Sequence, residues 1–168
     1  MFGREKKKRF LLVLPLVFIQ LCAFSQTGRD AKVANLYQSI KQYNIECPKT
    51  VLAIAVFESG WLECKNCAYQ YNNLFGFRAN GDYLKFNSID ECLAYFKTWQ
   101  NTYYVPWKKR HPNGTYYEYL AHVKYAHINI GNYVRTIKAV ERLIDKDVVI
   151  MDGSPQSYPP AGTQEKKE

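Results

Sequence analysis

The stretch Val51-Leu-Ala-Ile-Ala-Val-Phe57 decides the fold, because it is apolar at every position and ends on the acidic residue Glu58. Pro48 suits the first turn of a helix, and Gly60 suits the residue that stops one. A helix that is apolar on all sides is enclosed by its neighbours. The sequence therefore predicts a central helix, covered by the rest of the chain, with Glu58 at its end.

Apolar residues at helical spacing predict further helices around this one. Residues 29–44 form one, with the apolar positions Val33, Leu36, Tyr37, Ile40 and Tyr43. Residues 132–145 form another, with Val134, Ile137, Val140, Leu143 and Ile144 on one stripe. Ser88-Ile-Asp-Glu91 and Thr115-Tyr-Tyr-Glu118 have the spacing of capping boxes. They predict helices that run to about Gln100 and about Tyr125.

A β-hairpin is predicted in the middle of the chain. Phe75-Gly-Phe-Arg78 and Tyr83-Leu-Lys-Phe86 flank residues 79–82, which contain Asn80-Gly81. Asn-Gly between short alternating runs is a strong hairpin signal. The fold class expected is therefore α+β, mostly α, with an elongated hairpin lobe beside a helical lobe and a cleft between them.

Residues 1–25 have the layout of a secretory signal peptide. Basic residues at positions 4–9 precede an apolar run from Phe10 to Phe24, and Ala23-Phe24-Ser25 suits signal peptidase. The run is short for a membrane span. We therefore expect cleavage before Gln26, a periplasmic or secreted protein, and no stable membrane insertion after cleavage; an uncleaved anchor is the alternative. Residues 151–168 are rich in Pro, Gly, Ser, Gln and Lys and predict a disordered tail.

The charge balance changes when the signal peptide is removed. It carries five of the 23 Lys and Arg and one of the 15 Asp and Glu, so the net charge falls from +8 to +4. A moderately basic exported protein suits an anionic wall polymer, and the argument for nucleic acid weakens. Four cysteines remain (Cys47, Cys64, Cys67 and Cys92), and we expect Cys64 and Cys67 to lie close together in one loop.

Glu58 is the residue on which a chemical function depends. Apolar surroundings and the negative end of a helix dipole both favour the protonated carboxyl. A glycosidase needs a protonated carboxylic acid that can donate to the leaving oxygen. A helix-terminal Glu turned to solvent is the other interpretation.

The residues after Glu58 resemble a known family. Glu58-Ser59-Gly60-Trp61, followed by Asn72-Asn73-Leu74-Phe75-Gly76-Phe77, is similar to the signature of glycoside hydrolase family 73 glucosaminidases. Tyr125-Ala126 and Asn132-Tyr133 look like the later Y-A and N-Y segment of that family. The resemblance covers about residues 30–145 and implies a glucosaminidase domain over residues 26–150.

The resemblance implies a lysozyme-like fold and hydrolysis of the β-1,4 bond on the reducing side of N-acetylglucosamine in peptidoglycan. Glu58 would be the general acid, and the hydroxyl of Tyr125 would steady the acetamido group or a water molecule. The substrate-binding residues expected at the cleft are Asn72, Asn73, Phe75, Trp61 and Tyr133. Turn-forming roles for the two asparagines, and core roles for Phe75 and Tyr125, are the structural alternatives.

A second carboxylate is the point on which this chain departs from some family members. The hairpin offers only Asp82, at its tip, as a catalytic partner, and tip residues are usually turn formers. Attack by the N-acetyl group of the sugar itself is therefore a live hypothesis. The segment Ala126-His-Ile-Asn-Ile-Gly131 is also longer than the usual family turn.

Other functions compete with this one. One alternative is an inactive wall-binding or assembly protein of the same fold. Another, through Cys47 and a histidine, is a cysteine peptidase or amidase on wall peptides. Zinc held by Cys64, Cys67, Cys92 and a histidine fits standard spacing poorly. We expect peptidoglycan glycan strands as partner, a monomer, no nucleic acid, no metal and no cofactor.

Overall fold

The computed structural model describes residues 13–126 and 129–147, and the side chains of residues 28–126 and 129–146. Residues 1–12 of the predicted signal peptide and the whole predicted tail therefore lie outside the described residues. For residues 13–25 of the signal peptide the side chains are not described. The elements, in chain order, are α1 (Val13–Gln42), α2 (Pro48–Glu58), a short 3₁₀ helix (Ala68–Tyr71), β1 (Arg78–Ala79), β2 (Asp82–Tyr83), α3 (Ile89–Arg110), α4 (Tyr116–His122) and α5 (Ile130–Asp147). The predicted class, α+β and mostly α, is confirmed. Within these described ranges no helix is long and apolar enough to cross a membrane.

Helix α2 is the centre of the core, as predicted. Every residue from Val51 to Val56 is fully buried, and α1 and α5 pack against the helix. Pro48 occupies its first turn. The helix ends at Glu58, and Gly60 follows in the left-handed conformation, with φ of 56°, that glycine adopts without strain. Because burying each of its Val, Leu and Ile side chains stabilises the fold by about 1.5–3 kcal/mol, α2 organises the helices around it.

Helix α3 begins as predicted but is longer than predicted. The hydroxyl of Ser88 accepts a hydrogen bond from the Glu91 amide, whereas the Glu91 carboxylate binds the Asn87 amide, so only half of the capping box forms. The helix continues past Gln100 to Arg110, because Tyr104 and Trp107 are buried against other elements and hold the added turns. The prediction that this helix ends at about Gln100 was therefore wrong.

Gln100 ties α3 to the connection between α1 and α2. Its side chain is fully buried and lies against the Glu46 backbone. The amide oxygen accepts from Glu46 N at 2.7 Å, and the amide nitrogen donates to Glu46 O at 3.0 Å. A buried amide with both ends satisfied stabilises one arrangement of the two segments.

The hairpin is present but smaller than predicted. Arg78 pairs with Tyr83 and Ala79 with Asp82 in antiparallel register, so each strand has two residues and only Asn80-Gly81 forms the loop. Both loop residues have positive φ, 52° and 92°, which is the conformation that Asn-Gly favours. The hairpin is confirmed, and the elongated lobe was wrong.

Helices α4 and α5 close the core. Thr115 and Glu118 form the complete predicted capping box, and α4 then ends at His122, three residues before the predicted end. In α5, Ile137, Val140 and Ile144 are buried, but Leu143 is exposed. At about 100° per residue, Leu143 lies well to one side of the line through the other three, so its place on the buried stripe was wrong.

Gly114 gives a direct test of how α3 packs on the turn before α4. A Cβ at this position would lie 2.5 Å from the Trp107 ring and 3.1 Å from His111. We expect Gly114→Ala to lower the free energy of unfolding by about 1–3 kcal/mol, because the buried Trp107 ring must move. Thermal unfolding followed by circular dichroism measures the change. Gly28→Ala is the matched control, since nothing lies within 4 Å of its Cβ position. Equal stability of the two variants would contradict this packing.

Candidate active-site groove

One groove combines an acidic residue with many aromatic side chains. Its volume is about 900 Å³. The end of α2, the segment before β1, the exposed face of α3 and the chain around the end of α4 contribute to its walls. The residues that line it are Glu58, Phe75, Gly76, Phe77, Arg78, Tyr83, Tyr95, Thr98, Trp99, Thr102, Tyr103, Tyr119, Val123, Lys124 and Tyr125. Among these described residues, Glu58 is the only carboxylate.

Glu58 is held at the groove by its place as the last residue of α2. Its side chain is partly buried, and burial raises its pKa above the ordinary glutamate value. The hydroxyl of Tyr133 donates a hydrogen bond to Glu58 Oε1 at 2.9 Å, and this bond opposes the rise of the pKa. Within the described part of the chain, Glu58 forms no ion pair. The groove therefore contains a carboxyl whose pKa is raised by burial.

Two tyrosines, Tyr133 and Tyr125, lie next to each other near Glu58. Their ring centroids are 5.7 Å apart, and burial raises the pKa of both hydroxyls. Tyr125 donates to the Phe75 carbonyl oxygen at 3.2 Å, so it braces the groove wall. Tyr133 was predicted to bind substrate, but its hydroxyl bonds directly to Glu58 and the side chain is not among those that line the groove. Tyr133 therefore positions the acid.

Asn72 and Asn73 hold the hairpin rather than face the groove. Asn73 is almost fully buried; its amide nitrogen donates to the carbonyls of Phe77 and Leu84, and its amide oxygen accepts from Phe77 N. The backbone of Asn72 has the left-handed conformation, with φ of 55°, and its side-chain amide nitrogen donates to the Phe86 carbonyl. The structure thus gives both residues the turn-forming role that was the alternative, and neither amide lines the groove.

Gly76 lets the chain pass close to the acid. Its φ is 67°, and a Cβ there would lie 3.7 Å from Glu58 Oε2. Phe75 is buried, lines the groove and packs on Phe96, with ring centroids 4.1 Å apart. Phe75 therefore has the predicted core role and also forms part of the groove wall.

Trp61 and Asp82 lie away from the groove lining. The guanidinium of Arg29 lies over the Trp61 ring at 4.9 Å, so Trp61 joins the end of α2 to α1. Asp82 is exposed on β2, next to Tyr83, which does line the groove. Because successive side chains of a strand point to opposite faces, Asp82 points away from the groove. Asp82 is therefore not among the described residues that line the groove with Glu58.

The aromatic side of the groove is the feature that the sequence interpretation overlooked. Tyr95, Trp99 and Tyr103 of α3 all line it. Their spacing of four residues puts them on one helix face, and that spacing was available as a signal. The direct bond between Tyr133 and Glu58 had no such signal, because 75 residues separate the two in sequence.

The cysteines are placed apart from the groove. Cys64 and Cys67 form a disulfide, which agrees with the expectation that they lie close together. Cys92 is buried, and burial raises its pKa to about 12, so its thiol is unreactive. Cys47 lies 3.5 Å from the Tyr104 hydroxyl, in a cavity whose lining includes neither His111 nor His122. His127 is not among the described residues. In the described ranges no cluster of three His, Cys, Asp or Glu could hold a metal ion.

No known protein family, curated protein or solved structure matches this chain. The similarity of its motifs to family 73 glucosaminidases therefore remains a hypothesis from the residues.

The bond between Tyr133 and Glu58 predicts the effect of Tyr133→Phe. The hydroxyl donates to the carboxylate and so favours its ionised form, and removing it should raise the pKa of Glu58 further. Titration of the side-chain carboxyl carbon by ¹³C NMR measures the shift. Tyr117→Phe is the matched control, because the Tyr117 hydroxyl donates to Glu141 instead. A Glu58 pKa that falls, or that moves equally in both variants, would contradict the assigned bond.

Proposed function

We propose that this protein is an exported glycoside hydrolase with a lysozyme-like arrangement, which cleaves the β-1,4 bond on the reducing side of N-acetylglucosamine in peptidoglycan. The observation that carries the proposal is Glu58: a partly buried carboxyl with a raised pKa, the only acid among the described lining of an aromatic groove. The helical body with a small hairpin beside the groove suits the lysozyme-like class. The similarity of the motifs around Glu58 and Asn72 supports the bond and the substrate.

Glu58 is the general acid in this proposal. The protonated carboxyl donates its proton to the glycosidic oxygen as the bond from that oxygen to the anomeric carbon breaks, and the sugar leaves as an alcohol. The raised pKa keeps the proton on Glu58 closer to neutral pH. Tyr133 orients the carboxyl through Oε1, while Oε2 lies beside the backbone of Gly76. The acid is therefore oriented through Oε1 before substrate binds.

Departure of the leaving oxygen also needs a nucleophile at the anomeric carbon, and the described groove lining has no further carboxylate. We propose that the acetamido oxygen of the substrate attacks the anomeric carbon as the leaving oxygen departs, which forms a cyclic oxazolinium ion. Water then adds to the anomeric carbon and reopens the ring, and its proton returns to the Glu58 carboxylate. The position of Asp82, away from the groove, favours this route over a pair of protein carboxylates.

A wall-binding protein without catalysis is the second candidate. The absence of a second acid among the described groove residues favours it, and the aromatic lining would retain a glycan strand. Such a protein would bind the same peptidoglycan strands but would leave the β-1,4 glycosidic bond intact.

The wall-cleavage test compares residues 26–168 with the Glu58→Gln variant on purified peptidoglycan, with released ends identified by mass spectrometry. We expect new reducing-end N-acetylglucosamine from the parent and a loss of at least about a hundredfold in the variant, because Gln keeps the size but cannot donate the proton. Glu63→Gln, at an exposed position outside the groove, is the control and should retain activity.

Each other outcome of this test points elsewhere. Release of reducing-end N-acetylmuramic acid would leave Glu58 as the general acid but would show that the other glycosidic bond of peptidoglycan is cleaved. Activity retained by Glu58→Gln would remove Glu58 from the mechanism. Wall binding by both proteins without release would favour the binding protein.

The identity of the nucleophile predicts the stereochemistry. Attack by the acetamido group followed by water gives net retention, so we expect the β-anomer to be released first. We also expect glycan from which the acetyl groups have been removed to resist cleavage. ¹H NMR of the anomeric proton during early digestion measures the first point. Clean inversion would exclude the acetamido route, and equal cleavage of deacetylated glycan would favour a protein carboxylate.

A further inference from the structure

Three aromatic side chains form a row along the groove face of α3. Tyr95, Trp99 and Tyr103, here called the α3 aromatic row, are four residues apart and all line the groove. Each step of four residues advances about 6 Å along a helix. The ring centroids of Trp99 and Tyr103 are 5.9 Å apart. The row therefore presents ring surfaces at regular intervals along one wall.

Two members of the row are exposed, and the third, Trp99, is half-buried. Tyr95 is 44% and Tyr103 55% exposed, whereas Phe96, Tyr104 and Trp107 of the same helix are buried. Five large hydrophobic side chains are exposed among the described residues, and three of them (Tyr95, Tyr103 and Val123) line this one groove. Apolar surface concentrated in a groove is typical of a binding site.

The groups beside the row define the chemistry of the ligand. Thr98 and Thr102 line the same wall, and their hydroxyls donate to the carbonyls of Ala94 and Thr98, which leaves their oxygen lone pairs as acceptors. The described α3 wall carries no charged side chain into the groove. Flat apolar surfaces edged by hydroxyl oxygens match a pyranose ring, which has apolar C–H faces and a rim of hydroxyl donors.

The row also continues to the acid. The Trp99 ring is 6.3 Å from the Tyr125 ring, Tyr125 is 5.7 Å from Tyr133, and Tyr133 bonds to Glu58. On the other side, the Tyr95 ring is 5.0 Å from Phe77, which lies next to Gly76. A chain seated on α3 would therefore lie in the same groove as the carboxyl.

We propose that the α3 aromatic row stacks against consecutive sugars of an extended, uncharged β-1,4-linked glycan backbone, so that the site selects long chains over short ones. The inference rests on the proposed function, because it assigns the substrate to the groove of Glu58. Tyr103, at one end of the row, contributes to binding only when the chain is long enough to reach it.

Binding without cleavage tests this directly. Calorimetry measures the affinity of the Glu58→Gln protein for oligosaccharides of β-1,4-linked N-acetylglucosamine, from the dimer to the hexamer. We expect affinity to rise with length, and Tyr103→Ala in the same background to weaken hexamer binding about three- to tenfold while dimer binding is unchanged. Tyr103→Phe keeps the ring and should bind like the parent. Leu143→Ala, at an exposed residue that is not among those lining the groove, controls for loss of exposed apolar surface.

The outcomes separate this inference from the proposed function. Affinity that is independent of length, no detectable binding, or a Tyr103→Ala variant that binds the hexamer like the parent would overturn the role of the row, even if the parent cleaves peptidoglycan. Affinity that rises with chain length, together with weaker hexamer binding by Tyr103→Ala, would uphold the role of the row. This holds even if the parent releases no reducing ends and the hydrolase proposal fails.

Discussion

The apolar character of α2 on every side is the constraint on which the rest of the structure depends. No orientation of the helix gives it a face for water, so α1 and α5 must cover it and the remaining elements must pack around them. Its one acidic residue, Glu58, therefore lies at the end of the helix, where the cover stops. The position and the raised pKa of that carboxyl both follow from the burial of the helix behind it.

The opposite side of the groove is held by polar bonds as well as by apolar burial. The Asn73 amide binds Phe77 and Leu84, one residue outside each strand of the hairpin, and the two-residue strands add little of their own. Gln100 does the equivalent for α3, where its buried amide binds the backbone of Glu46. Two side-chain amides thus position the hairpin and α3 relative to their neighbouring backbone segments. A buried amide with matched partners is specific in geometry in a way that apolar contact is not.

Local signals predicted the parts of the fold that local chemistry controls. The apolar run of α2, the Asn-Gly turn and the Thr115 capping box were all readable, because each depends on neighbours within a few residues. The length of α3 was not, because the added turns are held by the burial of Tyr104 and Trp107 against other elements. At the site, Glu58 was identified from its helix, but the partner of its carboxyl, Tyr133, comes from the other end of the chain. Trp61 was assigned from motif position and Asp82 as the only carboxylate of the hairpin, and neither signal contains the direction of a side chain.

The unequal support of the two sides of the groove has a consequence for motion. Amide protons of α2 are shielded by the whole core, so they exchange with solvent only when the entire domain opens. The hairpin rests on two asparagines, two short strands and an exposed tip, so we expect it to open in smaller and more frequent events. The groove can thus widen from the hairpin side while Glu58 stays fixed. Under the proposed function, a thick, cross-linked polymer would meet a fixed acid on one side of the groove and a wall that opens more often on the other.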